Sequence, residues 1–587
     1  MRIATGGGEE CSIPPRSLDG GAMIISTKAI VAVTAIMLLA VCGIVAVSDV
    51  SEADDAWDGT ADDSWHTDKS QDEYEISTAE QLAGLAQLVN GGTTFEDKTI
   101  RLTANLDLSG YEWTPIGTGS RSDNTITGYS FQGTFEGDNH TISGITINAE
   151  SGEGFGLFKF ISTDTTIENL ILSKVSITAY DSTGALVGAM DGGTISNVKV
   201  TDGKVTGNKG VGGIVGRVLM SGTIEYCTNA AEVTANGYNA GGIAGAAYYA
   251  NNGMTFTNCE NTGSIDSVTC AGGIIGLSSA DLYNCKNSGT ISITKTGGTS
   301  IGGIVGEQKN DGSINNCENS GTVSNNVGTT TDGSTDKAGV GTGGIVGWIR
   351  YSGEYTNGHV TVSGCTNTGN ISSSSYGVGG IVGLAYNSFT VTGCKSSGTI
   401  TGYNMVAGII GGAQTVGTPS QMGDYMILAD NSVLDVEIIC EDGPNKGEVI
   451  GHLPANIAST ETPALWVIHG NTYVDEEGNT QTFTDENVTS AKIVVISPTG
   501  TDTATAAGYD DLPTAFNSVS DEGTITLYDN FDVSTTITND NSITLDLNGY
   551  KITGISNGTV ITNNGTLTLK NGTVDAGTAN GSVAVSN

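Results

Sequence analysis

The sequence predicts an all-β fold: a right-handed parallel β-helix (β-solenoid) with a short N-terminal capping helix, followed by a second, partial β-helix module. Three observations predict it. A glycine-rich pentapeptide, Gly212–Gly213–Ile214–Val215–Gly216, returns from Gly241, Gly272, Gly302, Gly343 and Gly379, with looser forms at Gly184–Gly188 and Gly408–Gly411. A second block follows each strict copy: a Cys, then usually Asn two residues on, as in Cys259–Glu260–Asn261–Thr262–Gly263. The composition, with 86 Gly and only 9 Pro in 587 residues, suits many short strands joined by tight turns, because Gly and Asn tolerate positive φ.

Taken in order, residues 1–22 carry no pattern. From Met23 to Ser48 a short segment with Lys28 leads into the apolar run Ala29–Val47, and Ala46–Val47–Ser48 has the small-x-small form of a signal cleavage site. The expectation is a signal peptide, with an uncleaved signal anchor as the alternative. Basic residues before the run and acidic ones after it put the bulk of the chain outside under either reading. Residues 49–72 read as an acidic linker.

Residues 73–153 open the solenoid. Ser77–Thr78–Ala79–Glu80 reads as a capping box. Leu82, Leu85, Ala86 and Val89 then follow at helical spacing, and Gly91 ends the pattern. Thr99–Leu102, Leu106–Leu108, Phe131–Phe135 and Thr141–Ile145 read as strands.

Residues 154–412 hold the repeats, with successive strict copies 29–41 residues apart. Variable spacing around a fixed motif places insertions at loops of a rung. Each repeat offers three strand candidates: the GGIVG segment, the segment entering the Cys, and the one after the Asn turn. Strands this short bury a face only when stacked, about 4.8 Å apart. Alignment on the glycines puts Leu170 and Val198 where later repeats have Cys227, Cys259, Cys285, Cys317, Cys365 and Cys394. A position that takes Leu, Val or Cys is a core position, and Cys there acts as a small hydrophobe. Inward-pointing parallel side chains favour free thiols over disulfides. Asn169, Asn197, Asn258, Asn284 and Asn316 precede the column, and Asn229, Asn261, Asn287, Asn319 and Asn367 follow it. Both sets are expected to hydrogen-bond from rung to rung.

Residues 413–500 read as degenerate rungs and a transitional β segment, with Lys446–Gly451 as a worn GGIVG copy. Residues 501–587 restart the opening plan. Leu512, Ala515, Phe516 and Val519 repeat the helix spacing, and Thr524–Leu527 and Leu545–Gly549 echo Thr99–Leu102 and Leu106–Gly110. This second module is expected to be truncated.

The GGIVG repeats resemble the GLUG motif of adhesin-like bacterial and archaeal surface proteins, with Ile in most copies where the motif name has Leu. The segments Trp113–Gly117, Phe131–Gly137 and Gly156–Phe158 are similar to the region that precedes such repeats. Residues 501–587 resemble the start of a pectate-lyase-like β-helix. The resemblance implies a β-helix at the cell surface and names no activity.

Chemistry is sparse. Net charge is −40, from 63 acidic and 23 basic residues, which argues against nucleic acid as a partner. Gly298–Thr299–Ser300–Ile301–Gly302 has the nucleophile-elbow pattern but falls at a rung start, and no H-E-x-x-H zinc motif exists. A polysaccharide lyase is the enzymatic alternative. It needs a carboxylate–calcium cluster and a base, and Arg217 and Arg350, at near-equivalent places after GGIVG, are its only paired basic candidates. No cofactor, metal site or catalytic residue is expected. The sequons at Asn139, Asn370 and Asn564 could carry glycans in a glycosylating host.

The functional expectation is an exported, cell-surface, adhesin-like β-solenoid, non-catalytic, presenting loops to an extracellular glycan or a host or cell-surface protein. Membrane contact is expected only through the N-terminal apolar segment if uncleaved. A purely structural envelope protein is the further alternative. The insertions at 324–341 and 348–362 are the expected contact loops, with Trp348, Tyr351 and Tyr355 as surface aromatics able to stack on sugars.

Overall fold

The computed structural model describes residues 57–586 except for 123–124, 248–252, 294–299, 310–311, 328–340, 351–358, 387, 415–424, 442–444, 453–464, 484–491, 501–502, 556–557 and 578–582. The signal or anchor segment, Tyr351 and Tyr355 therefore lie outside the described residues.

The repeats form a parallel β-helix. One turn of the coil shows the plan: Asp281–Tyr283, Lys286–Asn287, Ile291–Ile293, Ser300–Gly302 and Val305–Lys309. Each piece pairs in parallel with its counterpart one turn on: Leu282 with Ile314, Asn287 with Asn319, Ile291 with Val323, Ile301 with Thr342, and Val305 with Val346. The sequence suggested three strands per repeat. The extra pieces are short stretches before the glycine corner and beside the Asn turn, too brief to carry a periodicity of their own.

The strands that follow the glycine corners are buried along almost their whole length, and their first residues build the core. Val215, Ala244, Ile275, Val305, Val346 and Val382 stack in register and are fully buried. Each fully buried Val or Ile contributes roughly 1.5–3 kcal/mol over its exposed state, and stacking repeats that gain at every turn. One continuous core runs from Trp57 to Ile468. Part of the segment read as a linker is packed on it: Trp57 is buried, with its ring 6.0 Å from those of Tyr111 and Trp113. Two tryptophans, Trp57 and Trp65, give an otherwise acidic stretch enough apolar surface to dock.

The capping helix spans Ala79–Asn90 and buries Leu82, Leu85, Ala86 and Val89 in that core. Its N-cap is Thr78, whose hydroxyl accepts from the Gln81 amide at 3.3 Å, while Gln81 Oε1 accepts from the Ser77 amide at 2.8 Å. The capping pair is thus Thr78 with Gln81, one residue later than the sequence pattern suggested.

The Cys column is in register. Val198 neighbours Cys227 through the pairing of Lys199 with Thr228, and the thiols of Cys227, Cys259, Cys285, Cys317, Cys365 and Cys394 are free and buried. Cys259, Cys285 and Cys365 donate to main-chain oxygens of the preceding turn at 3.3–3.5 Å. Burial pushes the Cys259 and Cys365 thiols well above their ordinary range, so they stay protonated. Beyond Cys394 the column continues as Asn431 and Asn471, bonded to each other at 2.8 Å.

The two Asn columns differ. The inner one is a ladder: Nδ2 of Asn229, Asn261, Asn287 and Asn319 each donates to Oδ1 of the next Asn at 2.8–2.9 Å, and each also donates to the carbonyl two residues on. The outer column serves a turn. Asn169, Asn197, Asn258, Asn284 and Asn316 all have φ near +50°, as do Tyr226 and Asp430, while Gly364, Gly393 and Gly470 reach +61° to +63° in the same role. Asn suits both places for separate reasons, amide pairing in one and left-handed backbone in the other. Among the outer residues the bond from Asn197 to Asn169, at 2.8 Å, runs from turn to turn.

The ladder explains the doubled glycine. A Cβ at Gly213, Gly242, Gly273, Gly303 or Gly344 would strike the Asn side chain of its own turn and the carbonyl oxygen of the next corner. The pentapeptide and the Cys–x–Asn block are therefore two halves of one contact.

The worn copy Lys446–Gly451 is a true turn, pairing with Val406–Gly412. Residues from Ile493 onward surround a separate core. An antiparallel hairpin, Ile493–Gly500 with Thr503–Tyr509, and the helix Leu512–Ser518 lead into parallel turns, where Asn539 donates to Asn563 at 2.7 Å in the same ladder device. This module meets the last turns of the first through Ile427, Ala429, Val494 and Tyr528, and through a bond from the Tyr550 hydroxyl to Asp430.

Candidate functional site

The residue after each pentapeptide varies most, and the register stacks these residues in one column: Phe160, Ala189, Arg217, Ala246, Leu277, Glu307, Trp348, Leu384 and Gly412. They lie on the face of their sheet opposite the core. The column is covered all the same, because the strand before each glycine corner folds back over it. Sizes across this contact compensate. Phe160 lies on Gly154, Arg217 on Gly210 and Leu384 on Gly377, and a Cβ at Gly154 would come 2.8 Å from the Phe160 ring. In the turn of Gly412 the order reverses, with Met405 over Gly412. Most variation between turns is thus a matched exchange within a small second core, and needs no ligand to explain it.

This corrects two expectations. Trp348 is not on an exposed insertion loop. It directly follows Gly347, lies inside the strand Val346–Arg350, and is 6% exposed among Leu384, Tyr386 and Met405. Its immediate attachment to the pentapeptide places it on the wall. Arg217 is 8% exposed, and Arg350 lies two positions further along its strand, in the register place of Lys309, so the two arginines form no pair. Among the described residues no group of three His, Cys, Asp or Glu is arranged to hold a metal.

Where the turns from Glu307 to Tyr386 meet, the compensation fails and polar groups gather. Glu307 is 4% exposed. Its Oε2 accepts from the Cys270 thiol at 3.4 Å. Its Oε1 faces Lys309 Nζ and an Arg350 guanidinium nitrogen, each at 3.6 Å, too far for a direct hydrogen bond. Arg350 lies 4.7 Å from the centre of the Trp348 ring, a cation–π distance, with its own side chain 45% exposed. Tyr386 meets the Trp348 ring edge-on at 5.2 Å, and burial raises its pKa. Four buried polar atoms here have no hydrogen-bond partner within the protein: Ser300 Oγ, Glu307 Oε1, Trp348 Nε1 and Tyr386 Oη. Each such group costs about 1–3 kcal/mol unless something satisfies it. Glu307 and Tyr386 escaped the sequence reading because their significance depends on register. The signal was available, since both follow a pentapeptide at fixed offsets.

Comparison with known proteins gives the following. Residues 374–401 match a family described as the GLUG motif. Halomucin of Haloquadratum walsbyi is 29% identical over 428 residues, 58% of this chain and 4% of that one. A protein named as a candidate Gly-rich membrane protein of Evansella cellulosilytica is 35% identical over 134 residues, 22% of this chain and 14% of that one. The immunoglobulin A1 protease of Streptococcus pneumoniae is 26% identical over 210 residues, 32% of this chain and 10% of that one. A crystal structure of a candidate immunoglobulin A1 protease from Bacteroides ovatus aligns at a TM-score of 0.36 with 21% identity, covering 45% of this chain and 80% of that one. The matched stretches thus span 4–14% of the lengths of these curated relatives. The relatives agree with a surface or membrane-associated protein, and the chain itself carries the GLUG motif at residues 374–401, set in a parallel β-helix.

Proposed function

We propose that this chain is an exported, adhesin-like β-solenoid of the cell surface, non-catalytic, which holds a lateral binding face at a fixed distance from the cell and takes glycan or protein ligands there. One observation carries the reading. From Glu73 to Val474 the turns pair in parallel, one on the next, with register shifts at Gly207–Lys209 and Ser396–Gly398, and the repeated Asn, Cys and Gly residues serve one another, as a rigid spacer requires. The net charge of −40 supports it, because a strongly charged surface keeps an extended protein soluble and free of self-association. The Gly-rich membrane-protein relative supports the address.

The test joins localisation to binding. Protease shaving of intact cells should release peptides from residues 73–587, and the purified chain should bind a subset of an array of glycans and surface proteins. Protection of every peptide in intact cells would overturn the address, and an empty array would overturn the adhesive role. Release of unsaturated uronides from an acidic polysaccharide would replace the reading with a lyase.

A further inference from the structure

We propose that the crevice formed by Glu307, Lys309, Trp348, Arg350 and Tyr386 is a binding site for a carboxylate-bearing sugar unit of a polysaccharide. The inference rests on the adhesin reading above and names its ligand class and residues.

The donor and acceptor set selects the ligand. Two cations, Lys309 and Arg350, flank one carboxylate, Glu307, in a chain whose net charge is −40. Arg350 keeps 45% of its side chain exposed, which leaves its guanidinium open to a second carboxylate, the geometry that arginine recognises best. A simple anion would need only these cations. Beneath the exposed Arg350, which stacks on the Trp348 ring, lie an indole N–H, a phenol hydroxyl and a carboxylate oxygen without partners in the protein, all closed to solvent, so a sugar reaches them only once the Arg350 side chain swings aside. Two groups that can donate and one that can only accept match the hydroxyls of a sugar, which both give and take hydrogen bonds. The 3.6 Å gaps from Glu307 Oε1 to both cations are also too wide for direct bonds and leave the oxygen unserved within the protein. The rest of the surface repels acidic polymers, so retention of one requires a local site of this kind.

Among the described residues this combination is confined to these turns. In the neighbouring turns the places of Glu307 and Trp348 are held by Leu277 and Leu384, which have no polar group to present.

The test titrates the full chain with galacturonate and glucuronate oligosaccharides, with neutral oligosaccharides of equal length, and with acetate as a bare carboxylate, reading calorimetric affinity and tryptophan fluorescence. Acidic oligosaccharides should bind at least about tenfold tighter than neutral ones, with acetate weaker still. Arg350→Gln should reduce that affinity at least about tenfold while the chain stays folded, as read by circular dichroism. Trp348→Phe keeps the packing and removes the N–H, so it should weaken binding severalfold and remove the fluorescence response. Equal affinity for acidic and neutral sugars, or no loss in Arg350→Gln, overturns the site. Acetate binding as tightly as the oligosaccharides overturns the sugar and leaves an anion site only. Array binding unaffected by Arg350→Gln would keep the adhesin reading and reject this crevice; uronate binding by a chain that is absent from the surface would do the reverse.

Discussion

Two regions on the same turns of the coil treat polar groups in opposite ways. In the inner Asn ladder, Asn287 donates to Gly289 and Asn319 and accepts from Asn261, so a buried amide has both its N–H groups and its oxygen engaged. In the lateral crevice, an indole N–H, a phenol hydroxyl and one oxygen of a carboxylate are also buried and have no hydrogen-bond partner in the protein. The ladder repeats from turn to turn, and among the described residues the crevice occurs once. The contrast teaches that repetition builds the wall, and that the place to look for recognition is where the internal accounting of hydrogen bonds does not close.

The comparison is broken most severely at the corner. Gly303→Ala drives a methyl group into the Gly344 carbonyl and the Asn319 amide, neither of which can yield without shifting a turn. It should destabilise the solenoid by more than about 3 kcal/mol, read by denaturant unfolding. Asn287→Ala leaves its ladder partners unsatisfied and should cost about 3 kcal/mol in the same assay.

His359 sharpens the comparison through pH. Its ring nitrogens meet Ser388 Oγ at 3.0 Å and Thr390 Oγ1 at 2.9 Å, and burial lowers its pKa from 6.5 to about 4. The unfolded chain takes up this proton near pH 6.5 and the folded chain only near pH 4. The folded state is therefore unpenalised at pH 7 and loses stability as pH falls from about 6.5 to about 4, by about 2–3 kcal/mol at the lower end. The difference between wild type and His359→Gln, measured at pH 7 and pH 4, should contain that loss in wild type alone.

Tyr386→Phe has the smallest expected effect. It removes a hydroxyl that has no partner, so stability should stay within about 0.5 kcal/mol of the parent or rise slightly. A loss of 2 kcal/mol or more on the order of a buried hydrogen bond would show that the hydroxyl is satisfied and that the crevice resembles the ladder after all.

Much of the wall was legible in the sequence. The Cys column followed from Leu170 and Val198 sharing its place, and the worn copy at Lys446–Gly451 from its likeness to GGIVG, because both depend on residue type at fixed positions. The two roles of Asn were not separable, since a buried amide and a left-handed turn call for the same residue. The crevice was legible only in part. Trp348 stood out as an aromatic, but a sequence read without register placed it on a loop, and Glu307 and Tyr386 acquire meaning only from neighbours 41 and 38 residues away along the chain (348 − 307 and 386 − 348). Size compensation across the glycine corner was invisible for the same reason, because it links Arg217 to Gly210 through space.

The most direct test of the contrast is hydrogen–deuterium exchange of the full chain with and without a uronate oligosaccharide. The account predicts added protection confined to residues 300–309, 341–350 and 382–386, with the ladder at 259–293 already protected and unchanged. Equal protection along the whole coil, or none in those three segments, would contradict it.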